Sequence, residues 1–250
     1  FITKIPPLIA VPTTAGTGSE VSPGAVVILD NGMKETFVSA HLVPVAAVCD
    51  PELTFGLPAS LTAATGMDAM THCIEAVLTP VVHPPAEAIG VDGAERIGKW
   101  LEVAVKDGSN RDARWHMMMG SFEGALAFAK GLGAVHGLSH ALGRIHELKL
   151  HHGTLNAVIL PHSLAMIGDS AEEKFTRLRR ALGLAPNADL PQYIADLNAR
   201  IGLPPGLGAM GVKQEHGDGA IDYAVADLAT LSNAVPFNGD KYRELFKRAL

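Results

Sequence analysis

"SLTAATGMDAMTHCIEAVL", residues 60–78, is the stretch whose reading decides the fold. Ser60 follows Pro58 and is a residue type that caps helix N-termini, so a helix is expected to start there and run to Leu78 without a breaker. The same pattern continues downstream in "AEAIGVDGAERIGKWLEVAV" (86–105), "DARWHMMMGSFEGALAFAKG" (112–131) and "GTLNAVILPHSLAMIGD" (153–169). Four more segments follow at 171–184, 190–203, 219–234 and 240–250. Most place apolar residues at i, i+3, i+4 and i+7 and end at Gly or before Pro.

Upstream of residue 58 the pattern differs. "LIAV" (8–11), "AVVILD" (25–30) and "VAAVCD" (45–50) are short apolar runs closed by Pro12, "NG" and Pro51, which are strand signals. Three such strands make a poor sheet by themselves. The expected fold class is therefore mainly α. Residues 1–52 read as the tail of an α/β domain, and residues 53–250 as an all-helical domain. The chain opens at Phe1 in mid-pattern with no signal peptide, so further chain is expected upstream.

Composition limits the function classes. The 250 residues carry 48% apolar and 18% charged side chains, enough for a sizeable core. Net charge is −6 and no basic tract exceeds "RLRR" (177–180), which argues against nucleic acid as a partner. No apolar run approaches the roughly 18 residues of a membrane span. Two cysteines, Cys49 and Cys73, are too few for a disulfide framework, so a cytoplasmic location is expected.

The chemistry begins inside the deciding helix. Asp68 and His72 are four apart, so they share a face and offer two ligands to one metal ion. His136 and His140 repeat that spacing among Gly133, Ala134, Gly137, Ala141 and Gly143. The stretch "HGLSHALGRIHELKLHH" (136–152) holds five of the chain's eleven histidines. One carboxylate with three or more imidazoles suits iron or zinc and does not suit calcium or magnesium. The HExxH signature of zinc proteases is absent. A further stretch, "VPTTAGTGSEV" (11–21), runs from a strand into a Thr/Gly/Ser loop of the kind that cradles phosphate or ribose oxygens. It lacks the third glycine of G-x-G-x-x-G, because Val21 stands there.

Taken together, "PTTAGTGSEVS" (12–22), "DPELTFGLPASLTAATGMDAMTHCIEA" (50–76), "GAVHGLSHALG" (133–143) and "HHGTLNAVILPH" (151–162) resemble the iron-containing (group III) alcohol dehydrogenases. The resemblance implies a Rossmann-like dinucleotide domain, here represented by its C-terminal remnant, followed by an all-helical metal domain. It implies Fe(II), with zinc as the alternative ion, on Asp68, His72, His136 and His152; a longer loop leaves His151 and His146 as alternatives for the last position. It implies a catalytic proton-handling role for His140, with orientation of His136 as the structural alternative. Cofactor contacts, to NAD or NADP, would fall to Thr13, Thr14, Lys34, Leu53, Gly56, Leu57 and Leu61. The implied reaction is hydride transfer between a small alcohol or aldehyde and the nicotinamide, and the expected partner protein is a second copy of the full-length chain. Two rivals stand beside this: a metal-dependent hydrolase, and a metal-binding helical domain without activity.

Overall fold

The computed structural model describes residues 6–28 and 34–250; the side chains of residues 28 and 34–36 lie outside the description. Among the described residues the structure is mainly helical, with nine α-helices and two small pairs of strands. Strand β1 (Ile9–Ala10) pairs in parallel with β4 (Ala46–Ala47), in register Ile9 to Ala46. Strands β2 (Gly24–Ile28) and β3 (Lys34–Val38) form an antiparallel pair with Gly24 opposite Val38. The β3 strand went unread in the sequence because "KETF" has one apolar residue and no alternation. Val26, Val27, Phe37 and Val38 are all exposed, so neither pair of strands has the buried face that gives a strand its pattern.

Helix α1 (Ala59–Leu78) is the axis of the molecule and is buried almost continuously from Thr62 to Leu78. Its residues are mostly small (Ala, Gly, Thr, Cys), which lets neighbouring backbones close on every side. Helices α2 (Pro84–Lys106) and α3 (Arg111–Ala127) cover one flank; α5 (His152–Ile167) covers another. Short α4 (Ala134–Leu142) lies between α5 and α8 (Gln214–Ala226), and α9 (Gly239–Ala249) packs on α5 and α8. Helices α6 (Glu172–Ala181) and α7 (Leu190–Arg200) brace α2 and α5 from outside.

Several boundaries differ from expectation. The N-cap of α1 is Pro58, with no side-chain cap, and Ser60 lies one residue inside the helix. Helix α3 ends at Ala127 and passes into a 3-10 turn over Phe128–Lys130. Helix α8 starts five residues before the expected 219 because the His216 imidazole accepts from the Lys213 N–H and caps it. It stops at Ala226 because the Asp227 side chain reaches forward to accept from the Ala229 N–H and caps the 3-10 turn over Leu228–Ser232, a local bond that competes with helix.

Two buried polar devices hold the frame. Pro161 sits inside α5 and cannot donate to the carbonyl of Ala157. That carbonyl accepts instead from Asn198 Nδ2 on α7, at 2.6 Å. At the C-terminal end of α1, where carbonyls lack helical partners, Lys130 Nζ reaches Val77 O (3.5 Å) and Lys174 Nζ reaches Leu78 O (3.1 Å). Lys130 is fully buried and ion-paired to Glu87 at 2.8 Å, with Arg177 on the other Glu87 oxygen. Among the described residues no helix is long and apolar enough to cross a membrane.

Candidate metal centre

Three helices converge on one buried point. Helix α1 contributes Asp68 and His72, α4 contributes His136, and the first turn of α5 contributes His152. Donor atoms of Asp68, His136 and His152 all lie within 4.8 Å of one another. His152 Nε2 is 3.5 Å from Asp68 Oδ1, and the Nε2 atoms of His136 and His72 are each 3.9 Å from it. The His72 and His136 rings stack with centroids 4.8 Å apart. The close approach of α5 to α1 depends on Gly153: a Cβ there would lie 2.3 Å from Ala64 O. That contact sets the adjacent His152 against Asp68.

The alternatives for the last ligand position fall elsewhere. His151 is the N-cap of α5, its Nδ1 accepting from the Thr154 N–H at 3.4 Å. His146 lies exposed on a 3-10 turn over residues 146–148.

Burial governs the electrostatics. It holds the His136 imidazole well below its ordinary pKa, assisted by the neighbouring His72, His152 and His140. Burial likewise lowers His72, against the pull of Asp68. It pushes the Asp68 carboxyl up, but His72, His152 and the Asn156 amide outweigh it and leave Asp68 below the usual range. The result is an ionised Asp68 beside neutral His72 and His136, the protonation states in which these groups ligate metals.

The donor set can be tested against an ion. Asn156 Nδ2 lies 2.7 Å from Asp68 Oδ1, 3.1 Å from His136 Nε2 and 3.1 Å from His152 Nε2. One amide nitrogen with two protons thus faces three acceptors. Meanwhile Asn156 Oδ1 and His72 Nδ1 are buried without a partner among the described residues. Buried acceptors that outnumber their donors are costly, and a divalent cation between Asp68, His136 and His152 would serve the three acceptors that now share one amide. The residues fit a first-row divalent ion.

Four contributors were not anticipated. Glu75, buried on α1, accepts from the Val135 N–H at 2.9 Å and faces His136 Nδ1 at 2.6 Å. Together with Asn233, which accepts from the Ala134 N–H, it satisfies the orphan amides of α4 and aims His136. Burial raises the Glu75 carboxyl to about 8 despite those backbone bonds. Its signal was present: 68, 72 and 75 share one helical face. Asn156 likewise stands four residues after His152. Asp227, which accepts from His140 Nδ1 at 2.9 Å, is 87 residues away and left no trace in the pattern.

His140 flanks the cluster, its ring stacked on His152 with centroids 5.2 Å apart and 28% of its side chain exposed. The Thr/Gly loop is seated on the helices through Gly16 against Thr65 of α1 and Gly18 against Ser121 and Ala125 of α3. Gly18 has φ +59, and a Cβ there would come within 2.1 Å of Ala125 Cβ. Thr13 is exposed and Thr14 half-buried beside this seat. Leu53, Gly56 and Leu61 are exposed, and Leu57 half-buried, around the N-terminal end of α1. The Lys34 side chain lies outside the described residues.

Such an arrangement defines a class: a helical domain whose core gathers a cluster able to hold a metal, with an exposed Thr/Gly loop at the end of its central helix. The chain belongs to the iron-containing alcohol dehydrogenases, since the profile "Fe-containing alcohol dehydrogenase family, C-terminal" matches residues 62–250. The profile "Iron-containing alcohol dehydrogenase" matches residues 1–51. The chain is 50% identical to 4-hydroxybutyrate dehydrogenase of Cupriavidus necator, over 99% of this chain and 66% of that protein. It is 35% identical to NAD-dependent methanol dehydrogenase of Bacillus methanolicus, over 98% of this chain and 66% of that one. A crystal structure of a 1,3-propanediol oxidoreductase superposes with TM-score 0.95 at 33% identity, covering 100% of this chain and 68% of that one. The chain therefore spans just under two thirds of the length of these curated relatives. Membership favours the oxidoreductase reading over the metal hydrolase.

Proposed function

We propose that this chain is the metal-bearing part of an oxidoreductase that interconverts an alcohol and an aldehyde with a nicotinamide cofactor. The observation that supports it is the buried convergence of Asp68, His136 and His152 on one point, with His72 beside them and a His–Asp pair at the edge. Asp68, His72, His136 and His152 would hold Fe(II), with zinc as a competitor. Glu75 would fix the orientation and tautomer of His136, as carboxylates do behind metal-bound imidazoles. Residues 1–52 would complete the cofactor domain and residues 53–250 form the catalytic one. In this division Thr13, Thr14 and Lys34 meet the cofactor, and Leu53, Gly56, Leu57 and Leu61 border it.

Bound there, the ion would supply the Lewis acidity that eases loss of a hydroxyl proton, and a nicotinamide would supply the hydride acceptor. The alcohol carbon gives up both electrons of one C–H bond, and the O–H proton goes to His140. Because Asp227 accepts from His140 Nδ1–H, the lone pair stays on Nε2, the atom that takes this proton and hands it to solvent. Asp68, His72 and His136 are buried, whereas His152 and His140 each keep roughly a third of their side chain open to solvent.

The deciding experiment loads the intact protein with Fe(II) and follows NADH and NADPH oxidation against a panel of short aldehydes. Turnover is expected with one or both cofactors and to vanish on chelation; no oxidation of either would overturn the proposal.

A further inference from the structure

Beside His140 lies a cavity of about 170 Å³, bordered by Val26 on β2, His140 on α4, Arg144 just beyond α4, and Tyr223 and Asp227 at the end of α8. Arg144 follows His140 by four residues. It is half-buried, and its guanidinium carbon lies 3.9 Å from the centroid of the Tyr223 ring. Stacked in this way, a guanidinium is held by its face while its N–H edge stays open for a bidentate acceptor.

The open edge is unusual in this molecule. Arg96 is bound to Asp92 and Glu123, Arg114 to Thr62 and the Gly108 carbonyl, Arg179 to Glu172 and Arg200 to Glu102. Among the described residues Arg144 has no side-chain hydrogen bond or ion pair. Arg180 shares that lack, but it is exposed on the outer face of α6. Asp227, the carboxylate within the cavity, is already engaged: Oδ2 accepts from His140 and Oδ1 from the Ala229 N–H. A partly desolvated cation with its donors unused, next to the residue that handles the proton, calls for an anion supplied from outside.

We propose that Arg144 recognises a carboxylate at the far end of the substrate, so that this site takes a short hydroxy acid and its aldehyde acid. The inference rests on the dehydrogenase reading above. The cavity has room for a chain of a few carbons between the guanidinium and His140. A phosphate of the cofactor would satisfy the same guanidinium, and the experiment separates the two sources.

Wild type and Arg144→Gln, both intact and loaded with Fe(II), are compared on 4-oxobutanoate and butanal, aldehydes of equal carbon number that differ in the terminal carboxylate. The expected result is a fall of about 10- to 100-fold in the ratio of kcat/KM for 4-oxobutanoate to that for butanal. It should be carried by KM, with Arg144→Lys recovering part of it. Independently of turnover, calorimetric titration of the metal-free protein with butyrate should show binding at least tenfold weaker in Arg144→Gln, with an unchanged circular dichroism spectrum. An unchanged ratio together with unchanged butyrate binding overturns the proposal. So does a rise in KM for NADH with equal losses on both aldehydes, which would give Arg144 to the cofactor phosphates. If wild type reduces neither aldehyde, the dehydrogenase reading fails, and the butyrate titration still decides whether Arg144 is an anion site.

Discussion

At the residue scale, the histidines of residues 136–152 occupy unequal environments. His136 is 1% exposed and backed by Glu75, whereas His140 is open to solvent on one side and backed by Asp227. His136→Ala should therefore abolish bound iron, measured by elemental analysis of the purified protein; unchanged metal content would show that the ligand set is wrong. His140→Ala should keep the metal and lower kcat, and loss of metal instead would make it a ligand. Glu75→Gln keeps the shape of the side chain but puts an NH2 donor in place of one of the two acceptor oxygens that serve the Val135 N–H and His136 Nδ1. Metal affinity should drop about 10- to 100-fold, read by competition with a chromogenic chelator. The spacing of 68, 72 and 75 placed Glu75 on the ligand face, so its role was legible in retrospect. No pattern could reveal Asp227, since its partner His140 lies on a helix 87 residues away in sequence.

At the element scale, the residues of the cluster depend on helices that are satisfied from outside themselves. Helix α5 tolerates Pro161 because Asn198 on α7 serves the carbonyl the proline frees. Asn198→Ala would leave the Ala157 carbonyl buried and unpaired, at a cost of about 1–3 kcal/mol, seen as a lower urea midpoint with an unchanged slope. Lys130 serves the end of α1 in a similar way. Lys130→Met removes one partner of a buried ion pair and should destabilise by about 3 kcal/mol; a loss below about 1 kcal/mol would mean that Arg177 and Lys174 compensate. Helical segments were readable because their apolar periodicity and terminal glycines are local properties. Their exact ends were not, because the ends of α3 and α8 are decided by side-chain caps and 3-10 turns that compete within a few residues.

At the scale of the whole molecule, the cluster ties α1, α4 and α5 together, so metal binding and stability should be linked. Addition of Fe(II) or Zn(II) to metal-free protein at about one hundred times Kd should contribute about 2.7 kcal/mol and raise the melting temperature. Calcium at the same concentration should leave it unchanged, given the nitrogen-rich donor set. A shift with calcium equal to that with zinc would point to nonspecific binding at surface carboxylates.

The sequence by itself determined the mainly helical class, the presence of strands ahead of residue 58, and the residue types of the cluster with their i, i+4 spacing. These follow from periodicity and side-chain chemistry, which act over one or two turns of chain. Only the tertiary structure decided that His152 rather than His151 faces Asp68, that Glu75 and Asp227 orient the two imidazoles of α4, and that Arg144 is left with an open edge beside His140. Those outcomes depend on close helix contacts, such as Gly153 on Ala64, and on which buried donors find acceptors. Such accounts close only once segments distant in sequence have been brought into contact.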